Sequence, residues 1–461
     1  MADLSIDFAG IKSPNPFWLA SAPPSNSGAQ VHKAFEAGWG GAVWKTIGAP
    51  VLNVSNRYGA WHYGTQKMLG INNVELISDR PLEVNLQEIR DVKRFWPDRA
   101  VVVSAMVESS PDSWSDIVRQ IEDTGADGIE LNYGCPHGMS ERGMGAAVGQ
   151  VPEYCEQITG WVKQVARIPI IVKLTPNITS VVYPARAAVA AKADGLSLIN
   201  TINSIVGVDL DTFEVTPNIA GKGGHGGYAG PAVKPIALNM LSALGVDEVV
   251  ANSRLPISGM GGISTWKDAA EFLLLGATSL QVCTAVMHYG FRIIEDLCDG
   301  LSNWMDAHNF ATIEQVRGKS LNRISDFKNF DLSFRAVARI DQTKCIKCDL
   351  CYVACNDTAH QCIDLIASDG RKVEPGSYDL HSNGRFEAVS TRPQPRVRED
   401  DCVGCRLCYN VCPVEHCIEM VELPAVAPTV TWDELSKTHP EVTCDWEAMK
   451  RYREEHGIHI H

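Results

Sequence analysis

No run of apolar residues in this 461-residue chain reaches the roughly 18–20 that cross a bilayer, which argues against a helical membrane span. Basic residues are in deficit: 41 Lys and Arg against 55 Asp and Glu leave a formal charge of −14. That balance disfavours a nucleic-acid backbone as partner, although a local basic patch stays open. Residues 1–10, MADLSIDFAG, lack the basic stretch and apolar core of an export signal, so a soluble, cytoplasmic chain is expected. Cysteine is scarce at first. Only Cys135, Cys155, Cys283 and Cys298 fall in the first 340 residues, and the other eleven of fifteen follow. Without an export signal, such crowding reads as metal ligation before it reads as disulfides. The remaining composition, 45% hydrophobic and 21% charged, is that of a globular protein, long enough for one large domain and a smaller one.

Residues 1–335 alternate short apolar runs with segments of helical period, the pattern of repeated βα units. Eight strands are predicted: Phe17–Ser21, Ala42–Thr46, Val101–Val107, Gly128–Asn132, Ile170–Leu174, Leu196–Thr201, Pro256–Gly259 and Leu280–Cys283. Helices are predicted between them, among them Ser113–Thr124, Pro152–Ala166, Lys234–Leu244 and Trp266–Leu275. Eight such strands predict an α/β fold, a (β/α)8 TIM barrel, with a doubly wound sheet as the alternative. Barrel sites lie at the C-terminal ends of the strands. Those ends carry Ser21, Lys45 and Thr46, Asn132 to Cys135, Lys173, Asn200 and Thr201, Gly261 and Gly262, and Cys283 and Thr284. From residue 336 the texture changes to a Cys-rich, ferredoxin-like domain over 336–423, interrupted by a polar insertion at about 364–398. Residues 424–461 form a tail with one helical candidate, Trp446–His456.

The cysteines of the second region fall twice in the spacing C-x2-C-x2-C-x3-C. The first set is Cys345, Cys348, Cys351 and Cys355; the second is Cys402, Cys405, Cys408 and Cys412. Three thiolates at this short spacing wrap one cubane while the fourth reaches the other. Two [4Fe–4S] clusters are expected, one on Cys345, Cys348, Cys351 and Cys412, the other on Cys402, Cys405, Cys408 and Cys355. Zinc competes, but it prefers separated pairs to triplets. Pro413 follows Cys412 as the pattern asks, whereas Asn356 follows Cys355. Cys362 and Cys417 read as plain buried thiols, since eight ligands are already supplied.

The loop Gly259-Met260-Gly261-Gly262 follows the seventh strand, where barrels commonly bind phosphate through backbone N–H groups. Lys45 and Lys173 would add positive charge for an electron-rich ring or its phosphate. Gly221 to Gly226 satisfies G-x-G-x-x-G but opens no strand–turn–helix unit, so it is read as a loop closing over the barrel mouth rather than a nicotinamide site. No other stretch offers a domain for NAD(P)H or FAD. Cys135 follows the fourth strand directly, ahead of a Gly- and Met-rich loop, and an unperturbed thiol pKa of about 8.5 suits a general acid. The bland alternative is an inert cysteine, and His137 beside it reads as structural.

From about Ile11 to Val421 the chain resembles the pyrimidine-reducing half of dihydropyrimidine dehydrogenase, in particular the bacterial subunit that pairs with a separate flavoprotein. Asn73-Val74-Glu75-Leu76-Ile77-Ser78, Asn132 with Cys135-Pro136-His137-Gly138-Met139, Lys173-Leu174-Thr175-Pro176-Asn177, Asn200-Thr201 and the cysteine sets carry the resemblance. It implies FMN at the barrel mouth on Ser21, Lys45, Thr46, Lys173, Gly230, Met260, Gly261, Gly262, Cys283 and Thr284. It implies uracil or thymine bound by Asn73, Glu75, Ile77, Asn132, Tyr133, Gly134, Asn200 and Thr201. A carboxamide can pair with both the C=O and N–H groups of the pyrimidine edge, and Glu75 can accept from a ring N–H. Hydride from FMN N5 to C6 and a proton from Cys135 to C5 then reduce the 5,6 double bond reversibly. Tyr133, Gly134 and Ile199 depart from the family pattern and bear on loop packing more than on chemistry. Electrons are implied to come from NAD(P)H through a partner subunit carrying FAD and further clusters, in a hetero-oligomer with no nucleic-acid or membrane partner. The competing functions are a dihydroorotate dehydrogenase-like enzyme, a flavin enzyme acting on tRNA, which the acidic charge opposes, and a non-catalytic electron-transfer protein on a dead barrel.

Overall fold

The computed structural model of the chain describes residues 2–49, 51–135, 143–373, 392–424 and 429–456. His137 and the loop that follows Cys135, and the middle of the 364–398 insertion, lie outside them. Two compact units are present, Met1–Ile324 and Ser325–His461.

In the first unit eight strands pair in parallel: β1 (Phe17–Leu19), β2 (Gly41–Ile47), β3 (Ala100–Ala105), β4 (Gly128–Asn132), β5 (Ile170–Lys173), β6 (Gly195–Leu198), β7 (Ile257–Met260) and β8 (Ser279–Val282). Each bonds to the next, and β8 returns to β1 with Leu280 opposite Phe17, which closes the barrel. All eight predicted strands are present, and the doubly wound alternative is set aside. Every residue of every one of these strands is buried, the condition under which a strand reads as a continuous apolar run.

The covering helices are α1 (Gly28–Ala37), α2 (Leu82–Phe95), α3 (Pro111–Glu122), α4 (Pro152–Val165), α5 (Val182–Ala190), α6 (Lys234–Val246), α7 (Trp266–Leu274) and α8 (Ile293–Ala307). Helix α3 shows why they form where they do. Ser110 caps it by accepting from Ser113 N at 3.2 Å, and Pro111 supplies a preset first turn. Trp114, Ile117, Val118 and Ile121, at i, i+3, i+4 and i+7, form the stripe buried against the barrel. Among the described residues no helix is long and apolar enough to cross a membrane.

An unpredicted antiparallel sheet belongs to the same unit. The hairpin Tyr58–Tyr63 and Gln66–Asn73, inserted between β2 and α2, pairs with Gly226–Ala229, which pairs with Ile202–Ser204. Gly221 to Gly226 therefore runs into an antiparallel strand and not into a helix. The segment expected to be a loop at the mouth is in part a sheet strand.

The second unit repeats itself. Ala336–Ile340 pairs with Ile418–Glu422, and Ile363–Ile366 with Gln394–Val397. Short helical turns at Leu350–Tyr352 and Leu407–Val411 carry Cys351 and Cys408. The two halves share their backbone kinks. Lys347 and Gly404, Asp349 and Arg406, and Gln361 and His416 occupy corresponding places, all at positive φ between +54° and +69°. Five of these six carry a side chain in a region that non-glycine residues rarely occupy.

Candidate active site

The C-terminal ends of the barrel strands and the inserted sheet enclose a cleft of about 1210 Å³, counting the space open at its mouth. Ser21, Lys45, Thr46, Asn73, Glu75, Ile77, Asn132, Cys135, Lys173, Asn200, Thr201, Gly230, Met260, Gly261, Gly262, Cys283 and Thr284 all line it. Tyr133 and Gly134 do not. Tyr133 is 1% exposed, with its ring edge-on to Trp114 of α3 and its hydroxyl 3.2 Å from Thr159 Oγ1 of α4, so it packs in the barrel wall. Gly134 presents backbone: its N–H donates to Asn132 Oδ1 at 3.1 Å, and an added Cβ would lie 2.5 Å from Asn200 Cβ.

One hydrogen-bonded chain crosses the wall. Thr46 Oγ1 is 2.9 Å from Ser104 Oγ on β3 and 3.1 Å from Ser21 Oγ, and it accepts from Asn132 Nδ2 at 2.9 Å. Asn132 Oδ1 accepts from Asn200 Nδ2 at 3.0 Å, and Asn200 Oδ1 accepts from Thr201 N at 2.7 Å. The two carboxamides thus orient each other before any ligand is bound. Asn73, on the inserted sheet, donates from Nδ2 to Gly227 O at 3.0 Å. Asn53 clips the segment beyond it, accepting from Leu76 N at 2.7 Å and donating to Ile77 O at 3.0 Å.

Charges are paired around this cleft. Lys45 Nζ donates to Glu75 Oε1 at 2.6 Å, with Arg57 Nη1 at 3.3 Å from the same oxygen and the Tyr58 hydroxyl donating to Oε2. Desolvation, with the Glu75 carboxylate behind it, drives the Tyr58 phenol well above its ordinary value. Lys173 Nζ lies 3.3 Å from Glu130 Oε1. At Cys283 desolvation pushes the thiol up to about 12, with Lys173 and Lys45 pulling the other way. Cys135 is 8% exposed and packs with Ile77, Met106 and Met144. Arg57, Tyr58, Ser104, Glu130 and Tyr228 escaped the sequence reading. Only Glu130 left a signal, a carboxylate between the apolar Ile129 and Leu131 in the middle of a buried strand.

The Gly-Gly loop is shaped for a close approach. Gly262 has φ +81°, and a Cβ there would stand 2.9 Å from Gly230 O and from Lys234 Cβ. Helix α7 follows, capped by Thr265 and Asp268, each side chain accepting from the other's backbone N–H. Backbone N–H groups at this corner, with Lys45 and Lys173 lining the same cleft, can seat an anionic, flat cofactor.

In the second unit the cysteines gather in two small apolar cavities of about 330 and 310 Å³. Cys355 is with Cys402, Cys405 and Cys408 in one, and Cys412 is with Cys345, Cys348 and Cys351 in the other. The chemistry of each donor set, four of the five thiols that line each apolar cavity, fits an iron–sulfur cubane. Burial pushes Cys351 up to about 12 and Cys408 up to about 11, with neighbouring thiols adding to the shift. Cys362 and Cys417 line the same cavities; Cys362 Sγ is 3.4 Å from Cys355 Sγ, and Cys417 Sγ donates to Asp341 O at 3.7 Å.

Comparison with known proteins adds the following. Residues 3–305 match the dihydroorotate dehydrogenase family, and residues 382–420 match the 4Fe-4S dicluster domain. The NAD-dependent dihydropyrimidine dehydrogenase subunit PreA of Escherichia coli (strain K12) is 39% identical over 422 residues, 91% of this chain and 96% of that protein. The chloroplastic dihydropyrimidine dehydrogenase (NADP(+)) of Arabidopsis thaliana is 39% identical over 354 residues, 75% of this chain and 83% of that one. The catalytic subunit of dihydroorotate dehydrogenase B (NAD(+)) of Pyrococcus abyssi is 33% identical over 320 residues, 69% of this chain and 99% of that one.

Proposed function

We propose a reaction from one premise: the chain belongs to the dihydropyrimidine dehydrogenase family, with a dihydroorotate dehydrogenase-type barrel and a 4Fe-4S dicluster domain. The reaction is reversible reduction of the 5,6 double bond of uracil or thymine. FMN in the barrel cleft and two [4Fe–4S] clusters in the second unit carry the electrons. NAD(P)H supplies them through a separate flavoprotein subunit with its own FAD and further clusters. The observation that carries this reading is the chain Thr46–Asn132–Asn200–Thr201, which presents two mutually oriented carboxamides to the same space as Cys135 and the Gly261-Gly262 loop.

Ser21, Lys45, Thr46, Lys173, Gly230, Met260, Gly261, Gly262, Cys283 and Thr284 hold the flavin in this reading. The support is the corner at Gly262, which no larger residue could line, and the two lysines at the cleft wall. When bound, the flavin supplies the hydride, from N5 to pyrimidine C6. Asn73, Asn132, Asn200 and Thr201 pair with the polar edge of the pyrimidine, and Ile77 packs on it. Glu75, fixed by Lys45, Arg57 and Tyr58, presents its carboxylate to a ring N–H. Cys135 gives its proton to C5. Each cysteine triplet ligates one cluster, with Cys412 completing the first and Cys355 the second.

The test is direct. The purified chain releases FMN on denaturation, shows a cluster signal after reduction, and has its reduced flavin oxidised by uracil. If orotate is turned over in preference to uracil, the site is that of a dihydroorotate dehydrogenase. If flavin and clusters are present but neither pyrimidine oxidises the flavin, the barrel is an electron-transfer scaffold.

A further inference from the structure

Glu130 is a fully buried carboxylate for which the reaction above has no use. It sits in the middle of β4, inside the barrel. Oε2 accepts from Ser197 Oγ on β6 at 2.9 Å and from Gln281 Nε2 on β8 at 3.0 Å. Gln281 is steadied in turn, donating to Ser258 Oγ on β7 at 3.2 Å, and Ser279 Oγ donates to that same hydroxyl at 2.7 Å. Oε1 differs. Among the described residues it accepts no hydrogen bond, and it faces Lys173 Nζ at 3.3 Å, near enough for an ion pair but out of line for a directed bond.

Barrels of this kind usually fill the interior with bulky branched side chains. A buried carboxylate costs several kcal/mol in desolvation, so a belt of Glu, Gln and serines there needs a reason. Burying Lys173 is not reason enough. Here two donors lock Oε2 and leave Oε1 offset, so the carboxylate is the fixed partner. Lys173 has three protons to give, and its side chain lines the cleft.

We propose that Glu130 is a positioning residue for the flavin: locked from β6 and β8, it fixes the Lys173 ammonium at the cleft wall and offsets its charge, and thereby keeps the flavin's reduction potential low. The sign follows from electrostatics. An uncompensated ammonium beside the ring favours the electron-rich reduced form, and in a low-dielectric interior the offsetting carboxylate counts strongly. This rests on the FMN reading above.

The experiment compares the full-length, FMN-loaded chain with its Glu130→Gln variant, by FMN dissociation constant and by redox titration of the flavin absorbance. Gln keeps the shape and removes the charge. The expected result is retained FMN and a potential raised by about 30 mV, equivalent to about tenfold more reduced flavin at a fixed potential for a two-electron couple. Glu130→Asp, with its carboxylate withdrawn from Lys173, gives a smaller rise and carries the test alone if the Gln variant does not fold. Bound flavin with an unchanged or lower potential overturns the proposal and leaves Glu130 a packing residue. A wild-type chain that holds no FMN overturns the FMN reading instead, so the two failures are distinct.

Discussion

Cys135 meets the cleft from the end of β4, flanked by Ile77, Met106 and Met144. Under the proposed reaction, that packing holds the thiol where it can give its proton to a pyrimidine bound in the cleft. Cys135→Ala should therefore keep FMN and uracil binding while turnover falls by about 10²–10⁴-fold, the usual worth of a general acid. Turnover within a few-fold of wild type, measured by uracil-dependent flavin oxidation, removes the acid role. In the second unit, Cys355 shares its cavity with the triplet of Cys402, Cys405 and Cys408, and not with its own triplet. Cys355→Ala should damage the cluster of that second triplet and spare the other. Electron paramagnetic resonance of the reduced variant separates the two, and loss confined to the first triplet's cluster contradicts the crossed ligation. Sequence reading found these cysteines because their spacing is itself the signal. It missed Arg57 and Tyr58, which reach Glu75 only because a hairpin folds back over the mouth, and it placed Tyr133 in the site although the alternation of β4 turns that ring outward into α3 and α4.

At the scale of elements, the loop between β7 and α7 shows how a backbone requirement becomes a binding surface. Gly262 is at φ +81°, and an added Cβ would press on Gly230 O and Lys234 Cβ, both at 2.9 Å. Gly262→Ala carries a strain of about 1–3 kcal/mol. The expected outcome is a folded barrel with FMN affinity lowered on the order of 10-fold or more, read by fluorescence as FMN is titrated into the flavin-free chain. Unchanged affinity would place the flavin away from this corner. The eight strands were legible because each is buried, carries Val, Ile or Leu, and is followed by polar or Gly-rich residues. The hairpin Tyr58–Tyr63 and Gln66–Asn73 was not. Four of the six residues in its first strand are exposed, and its apolar positions follow no period of two. It is defined by pairing with Gly226–Ala229, more than 150 residues away, as Asn73 opposite Gly227 shows. Propensity over a short window cannot register such a contact. The Gly-rich segment before Gly226 was legible as something other than a nucleotide loop because no helix pattern follows it, but its strand lacks the bulky residues that announce one.

At the scale of the molecule, the chain holds a place where electrons finish and a module that carries them, and the remaining question is where they enter. The segment with the dinucleotide pattern, Gly221 to Gly226, turns on itself, with Gly221 N donating to Asn218 Oδ1 and Lys222 N to Ile219 O, and then leads into an antiparallel strand that pairs with the inserted hairpin, so it does not open a helix that could receive a pyrophosphate. The two cysteine cavities lie in a unit with its own paired strands and its own core, built around Val337, Ile363, Leu365 and Ile418. A cluster accepts electrons singly, which suits a flavoprotein donor rather than a hydride donor. The chain loaded with FMN and clusters should therefore reduce uracil with dithionite as the electron source and fail with NADH or NADPH alone. Adding the flavoprotein subunit proposed as its partner should restore the nicotinamide-driven rate. Absorbance of NAD(P)H at fixed uracil reads the difference. Rapid NAD(P)H oxidation by the chain alone would mean that the nicotinamide binds here after all, and that the clusters lead electrons outward from this chain instead of bringing them in.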